Sequence, residues 1–149
     1  MKFDIFIPGD PKGQPRARAY ARKMGSKFVA RMYDSDVADI WKAQVRNSVL
    51  AVAIAQGLKP IEGPFEVFML FSFERPQSHF LSSGDLGKGR VSAYVQKPDV
   101  DNLAKLVLDV ITRLQMCWMD DDQVVRLGVE KRWEKIGCAG SLVLKVKSI

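Results

Sequence analysis

Cysteine and histidine are scarce in this chain, and their placement excludes several kinds of chemistry. Its two cysteines, Cys117 and Cys138, have no CxxC or histidine-paired spacing, so neither a thiolate metal site nor thiol catalysis is indicated. The single histidine, His79, stands in a predicted loop without cysteine or acidic neighbours at metal-ligand spacing. We therefore expect His79 to be a surface residue and any chemistry to depend on other side chains.

Long apolar runs and nucleotide-binding motifs are also missing. No run approaches the ~20 apolar residues that a membrane helix needs, and the first residues, MKFD, contain no apolar signal region. Neither GxxxxGK[ST] nor GxGxxG occurs, so nucleotide-driven motion is not indicated. We expect a cytoplasmic protein with free thiols, no nucleotide cofactor and no membrane contact.

Basic residues, by contrast, are abundant. Lysine and arginine number 23 against 17 acidic residues, which gives a net charge of +6 and favours nucleic acid or another acidic partner. Seven of the basic residues lie at positions 9–32, where Asp10 is the only acid. A solvated loop surface is the alternative for each residue alone, but as a group they predict a track for phosphate backbones. The candidate DNA-binding residues are Arg16, Arg18, Lys88, Arg90 and Lys97.

Hydrophobic periodicity predicts a single α/β (α+β) domain over residues 1–149, with 47% hydrophobic residues to form its core. Strands are predicted at 3–7, 27–33, 65–73, 125–130 and 142–146, and a long loop at 76–96. A first helix, capped by Ser35, ends near Gln56, and a second follows Pro98. This order fits a mixed sheet of about five strands with two main helices packed on it. The apolar stripe of the first helix and the tryptophans predicted as core are Val37, Trp41, Val45, Val49, Val52 and Trp133.

Five aspartates surround the second predicted helix. Asp99 and Asp101 stand at its start, and Asp120, Asp121 and Asp122 follow about twenty positions further on. Such carboxylates repel one another unless a cation or a proton neutralises them, and magnesium prefers oxygen ligands of this kind. Asp121 shares the strand parity of the apolar residues after it, so an unbroken strand would point it toward the layer that contains the second helix. Asp120 and Asp122 have the opposite parity and are predicted to be solvated. Capping of the helix is the alternative role for Asp99 or Asp101.

One lysine shares a helix face with these acids. Asp101, Lys105 and Asp109 are spaced four apart and therefore lie on one face of the second helix. Lys105 can neutralise the acids or reach a substrate phosphate. The alternative is a surface ion pair, worth ~0.3 to 0.5 kcal/mol. Sequence position leaves both roles open.

Several segments together resemble one known family. They are KPDVDNLAK at 97–105, LDV at 108–110, WMDDDQVV at 118–125, PGDP at 8–11 and PRAR at 15–18. This combination resembles the RusA-type Holliday junction resolvases, small endonucleases of bacteria and their phages. The resemblance implies a magnesium site formed by Asp99, Asp101 and Asp121, with Lys105 assisting catalysis. Where the family usually has two consecutive acids before a residue and a glutamine, this chain has three; alignment on Trp118 and Gln123 selects Asp121 and leaves Asp120 as the alternative.

The resemblance also implies an activity: magnesium-dependent resolution of four-way DNA junctions by a homodimer that makes paired symmetric nicks in recombination and repair. Two other functions remain open at this point. DxD pairs occur in other metal-dependent enzymes that act on phosphates, and the acids of a non-catalytic DNA-binding protein can simply cap helices. Tyr20, Phe80 and Tyr94 are candidates for stacking on unpaired bases, with packing of the loops as the alternative.

Overall fold

Strands from both ends of the chain meet in the main sheet. A computed structural model describes residues 1–15, 18–33 and 36–149, with the backbone alone for 18–20, 22 and 29–33. In chain order the elements are β1 (Lys2–Pro8), β2 (Arg18–Met24), β3 (Lys27–Tyr33), α1 (Asp39–Gln56), β4 (Phe65–Phe73), α2 (Val100–Leu114), β5 (Val124–Trp133) and β6 (Ser141–Ser148). The main sheet has the order β1-β6-β4-β5, in which β4 and β5 are parallel and the other two pairs are antiparallel. Parallel neighbours need a crossover connection, and α2 supplies it here.

One hydrophobic core lies between this sheet and the two helices. In β1, alternate side chains are buried, as expected for a strand with one face on the core. Both helices bury an apolar stripe against the sheet, because residues three and four apart share a helix face. The buried helix residues are Trp41, Val45, Val49, Ala53, Leu103, Ala104, Leu106, Val107, Leu108 and Ile111. Packing of this stripe fixes α2, and with it the acidic residues at its start.

Residues 18–33 form a separate hairpin. The predicted strand at 27–33 is confirmed, but its placement in a five-stranded sheet is wrong, because β3 pairs with β2 in a sheet of two strands. Gly25, at a φ of 65°, lies in the two-residue turn that joins them. β2 lies in the segment predicted as a loop. Its sequence, RAYARKM, has no sustained apolar alternation to reveal a strand. The α+β class is nevertheless confirmed, with four strands in the main sheet.

The first helix begins later than its apolar pattern predicts. Residues Asp36–Ala38 form a short 3-10 turn, and the Val37 side chain is exposed rather than part of the buried stripe. Ser35, the predicted cap, lies outside the described residues. The stripe is otherwise confirmed, with Val52 half-buried. Within the described ranges, no helix is long and apolar enough to cross a membrane.

The prediction that His79 is a surface residue is wrong. Its side chain is only 7% exposed, and its ring meets the Trp133 ring edge-on at 4.6 Å between centroids. Burial lowers the pKa of His79 below its usual value, and the nearby Arg90 and Arg75 cations lower it further. The imidazole is therefore a neutral packing group at physiological pH. Trp133 is half-buried and packs against the core.

We expect the two cysteine thiols to differ greatly in reactivity. Cys117 is fully buried, and burial raises the pKa of its thiol to about 11, whereas Cys138 is exposed. Since the thiolate is the reactive form, an aromatic disulfide reagent at pH 8 should modify Cys138 rapidly in the native protein and Cys117 only after denaturation. The Cys138→Ser variant should then be almost unreactive when native. Rapid labelling of that variant would contradict the burial of Cys117.

Candidate active site at the start of the second long helix

Asp99 occupies the N-cap position of α2 without acting as a side-chain cap. Its backbone is extended, with φ −71° and ψ 151°, and its side chain makes no capping hydrogen bond. Instead, both carboxylate oxygens accept hydrogen bonds from Lys97 Nζ at 2.7 Å. The capping alternative therefore does not explain Asp99.

Asp101, Lys105 and Asp121 line one hollow between α2 and the start of β5. This α2–β5 hollow has a volume of about 470 Å³. Asp101 and Lys105 come from the first two turns of α2, and Asp121 comes from the 3-10 turn Asp121–Gln123 that leads into β5. The remaining lining residues are Val100, Ala104, Leu108, Leu127 and Val129. The structure therefore brings together three of the four predicted catalytic residues, and Asp99 lies two residues before Asp101.

Lys105 has both of the features that the sequence left open. Its Nζ lies 3.4 Å from a carboxylate oxygen of Asp109, one helix turn later, so the surface ion pair is present. The same side chain also lines the α2–β5 hollow beside Asp101 and Asp121. An exposed pair of this kind contributes little to stability. The ammonium group can therefore turn from Asp109 to an anion in the hollow at small cost.

The turn before β5 separates the roles of Asp120 and Asp121. The Asp120 side chain accepts a hydrogen bond from Asp122 N at 3.3 Å, while Gln123 Oε1 accepts from Asp120 N at 3.1 Å. Together these bonds form a capping box. Gln123 Nε2 also donates to the carbonyls of Ile61 and Gly63, which ties the turn to the segment before β4. Asp120 is thus engaged in the turn, whereas Asp121 lines the hollow. Asp121 has the predicted orientation, but it lies in a 3-10 turn rather than in the strand from which that prediction was made.

The acids around the hollow carry an excess of negative charge. Burial raises the pKa of the Asp121 carboxyl above its usual range, and the neighbouring Asp120 and Asp109 carboxylates raise it further. Lys105 acts in the opposite direction. A cation placed beside Asp121 would relieve this repulsion.

These carboxylates are ligands of the type that a divalent cation prefers, although the structure holds them too far apart to surround one ion. Across residues 1–15, 18–33 and 36–149, no three acidic, histidine or cysteine side chains lie together closely enough to hold an ion. Asp99 is engaged with Lys97, and it lines a different hollow, together with Lys12 and Asn102. Carboxylate oxygens are nonetheless the ligands that hard cations prefer. The donor set therefore fits a hard divalent cation by ligand type, with Asp101 and Asp121 in one hollow and Asp99 in another.

The predicted DNA-binding residues are only partly described. Arg16 lies outside the described residues, and Arg18 begins β2, where the backbone alone is described. Lys88 and Arg90 are exposed in the loop between β4 and α2, and Arg90 Nη2 donates to the Ser78 carbonyl at 3.4 Å. Lys97 is exposed beside Asp99.

The hairpin tip exposes two apolar side chains that the sequence reasoning missed. Met24 is 55% exposed and Phe28 73% exposed, and each stands opposite a lysine in the register: Met24 pairs with Lys27, and Lys23 with Phe28. The Gly25-Ser26 pair between two basic segments is the sequence feature that could have predicted this hairpin. Large exposed apolar groups commonly mark interaction surfaces.

The predicted stacking residues have different positions. The Tyr94 ring stacks on Phe73 at 3.9 Å, and its hydroxyl donates to the Lys97 carbonyl at 2.7 Å, so its ring is packed within the protein. Phe80 is half-buried in the same loop, where it pairs with Leu86. The side chain of Tyr20 lies outside the described atoms.

Comparison with known proteins identifies the family. The model of the family described as Endodeoxyribonuclease RusA matches residues 8–139 of the 149, a range that contains every acidic candidate. Among curated proteins, none matches the chain. Enzymes of the RusA family hydrolyse DNA, act on branched junctions and generally depend on a metal ion. With the match extending over most of its length, this chain belongs to the RusA endodeoxyribonuclease family.

Proposed function

We propose that this protein is a magnesium-dependent endodeoxyribonuclease that resolves four-way junctions by paired symmetric nicks. The observation that carries the proposal is that Asp101, Lys105 and Asp121 line one hollow, with Asp99 two residues before Asp101. Membership of a family that cuts branched DNA gives these residues a reaction to perform. Neither a helix cap nor a surface ion pair accounts for the presence of Asp101, Lys105 and Asp121 in one hollow.

The proposed division of labour follows from the charges. A magnesium ion held by these acids would activate the attacking water and stabilise charge on the scissile phosphate. Asp101, from α2, and Asp121, from the turn before β5, would hold the ion. Asp99 would be the third ligand once its carboxylate left its present contacts, which include Lys97. Lys105 turns from Asp109 to the phosphate, where its charge offsets the negative charge that develops during attack. Leu127 and Val129 line the same hollow with apolar surface.

The matching test compares DNA structures in the presence and absence of magnesium. Four-way junctions, linear duplex and single strands of the same sequence are incubated with the protein, with magnesium or with a chelator. We expect nicks only in the junction and only with magnesium. Equal cutting of linear duplex would contradict the proposed selectivity for branched DNA. Binding without cutting would favour a non-catalytic DNA-binding role.

Paired incision requires two active sites on one junction. A four-way junction carries pairs of strands of like polarity, and a two-fold homodimer with one acidic site per protomer can nick both strands of a pair. Sedimentation of the free protein and strand-by-strand analysis of a cruciform plasmid test this. We expect a dimer that linearises the plasmid. A monomer that leaves singly nicked circles is incompatible with a resolvase.

We assign this activity to the bacterial cytoplasm, consistent with the two free thiols.

The hairpin tip is the proposed contact with unpaired bases at the branch point. Phe28→Ala should make the free energy of binding to four-way junctions less favourable by about 1 to 3 kcal/mol, the contribution of one base stacked on an aromatic ring. Affinity for linear duplex, whose bases remain paired, should stay the same. Ile54→Ala, which removes an equally exposed apolar side chain from α1, serves as the control in both titrations. Unchanged junction affinity of Phe28→Ala would remove the tip from the DNA interface.

A further inference from the structure

Two side chains hold three consecutive backbone carbonyls immediately before Asp99. Lys131 Nζ donates to the Gln96 carbonyl at 2.6 Å and to the Pro98 carbonyl at 2.8 Å. The Tyr94 hydroxyl donates to the carbonyl between them, that of Lys97, at 2.7 Å. We call Lys131 and Tyr94 the carbonyl clamp. Hydrogen bonds from an ammonium group are short and strong, so the clamp fixes the path by which the chain enters α2.

The clamp is itself rigidly supported. The Tyr94 ring stacks on Phe73 at 3.9 Å with 16° between the planes, and Trp133 meets it edge-on at 4.6 Å. Lys131 Nζ lies 5.2 Å from the centroid of the Tyr94 ring, within the range of a cation–π contact. The backbone adds a bond from Trp133 N to the Ser92 carbonyl at 2.7 Å. The side chains that grip residues 96–98 are therefore anchored in β4 and β5.

Strand β5 also supplies the other part of the site. Lys131 has the same strand parity as Leu127 and Val129, which line the α2–β5 hollow, and Asp121 lies in the turn that leads into this strand. β5 therefore determines the position of Asp121 through the turn that precedes it. Through Lys131 it also determines the position of the start of α2. A single strand relates acids that are twenty residues apart in the sequence.

We infer that Lys131 and Tyr94 are positioning residues that set Asp99 and Asp101 relative to Asp121. The inference rests on the proposed function of these acids. Neither clamp residue carries a carboxylate, so each acts through the backbone rather than as a metal ligand. Catalytic geometry tolerates displacements of only about 0.5 Å, and release of residues 96–98 would allow larger shifts at the start of α2.

The competing role for Lys131 is general stability or general positive charge, and two measurements separate it from positioning. Lys131→Met keeps most of the aliphatic stem and removes both hydrogen bonds. Lys145→Met removes the same charge from an exposed position of β6 and is the matched control. Binding of Mn²⁺ alone is followed by electron paramagnetic resonance. Cleavage is followed in single turnover, with enzyme in excess over its dissociation constant for the junction and with saturating magnesium.

We expect Lys131→Met to weaken Mn²⁺ binding by about 10- to 100-fold, as when a group that orients a metal ligand is lost. The single-turnover rate should fall by about the same factor. Lys145→Met should match the wild type in both measurements. Lys131→Arg, which retains donors for the two carbonyls, should recover part of the metal affinity. Tyr94→Phe, which keeps the ring stack and loses one hydrogen bond, should show a smaller loss in the same direction.

The outcomes distinguish this inference from the proposed function. If Asp101→Asn abolishes cleavage while Lys131→Met and Tyr94→Phe bind Mn²⁺ and cut like Lys145→Met, the clamp inference fails and the acidic site stands. If Asp101→Asn itself cuts at the wild-type rate, both fail. A loss in Lys131→Met that Lys131→Arg does not relieve, together with an unaffected Tyr94→Phe, also overturns positioning, because the effect then depends on lysine rather than on the held carbonyls.

Discussion

Asp99→Asn, Asp101→Asn and Asp121→Asn are each expected to bind four-way junctions almost normally and to cut them on the order of 10³-fold more slowly. Asparagine keeps the shape of aspartate and removes the charge that holds a divalent cation. The proposed phosphate contacts involve other residues, so binding should survive. Gel-shift titration in a chelator and single-turnover cleavage in magnesium measure the two properties separately.

Two further variants are compared with these three, one as a control and one to test the proposed catalytic lysine. Asp122→Asn changes an exposed acid in the same turn, outside the α2–β5 hollow, and should cut normally. Lys105→Ala should bind the junction and cut more slowly, by about 10²- to 10³-fold if its charge stabilises the transition state. An unchanged rate would leave Lys105 as the surface ion pair with Asp109. Magnesium-dependent cutting at the wild-type rate by any of the three acid variants would remove that residue from the site.

Junction affinity is expected to fall by about 10³- to 10⁵-fold between 50 mM and 200 mM salt if six to ten phosphates are contacted. Neutralised phosphates release condensed cations, and added salt opposes that release. Reversing both Arg16 and Arg18 to glutamate should lower the affinity and flatten the slope of its logarithm against that of salt concentration. Fluorescence anisotropy with a labelled junction at several salt concentrations measures both quantities.

A charge-matched control shows whether location or total charge is responsible. Lys2→Glu with Lys145→Glu changes the net charge by the same amount on the sheet face that points away from the core. This pair should leave the salt slope near that of the wild type. If both double variants behave alike, the N-terminal segment is not a specific DNA track and the effect belongs to the overall charge of +6.

The parts of the fold that pack on the core could be predicted from the sequence. β4 and α2 bury regular apolar patterns, so periodicity alone finds both elements. The hairpin could not be found in full, because β2 pairs with β3 in a separate sheet of two strands and needs no apolar alternation. His79 was misplaced for a similar reason: its burial depends on Trp133, 54 positions later, and no local pattern reports such a contact.

The same distinction applies to the site. Helix spacing placed Asp101 beside Lys105, because that rule depends on local geometry. Asp121 lines the hollow as predicted, but from a 3-10 turn before β5, to which strand alternation does not extend. The engagement of Asp120 in a capping box with Gln123 could not be predicted, because only the folded turn reveals it. Lys131 and Tyr94 carry no motif at all. Their contribution comes from hydrogen bonds to backbone carbonyls. Every residue has such a carbonyl, so the sequence does not show which ones accept a hydrogen bond from a side chain.

Strand β6 has a consequence for the order of folding during synthesis. It lies between β1 and β4, and it is the sheet partner through which β1 joins the other strands. Lys2 pairs with Lys147, so β1 emerges from the ribosome well before its neighbour exists, and closing so long a loop is entropically costly. A nascent chain that ends before Ser141 therefore leaves β1 without its sheet partner and β4 with an open edge. Such truncated chains are prone to edge-to-edge aggregation, and nuclease activity should appear only once β6 has been synthesised.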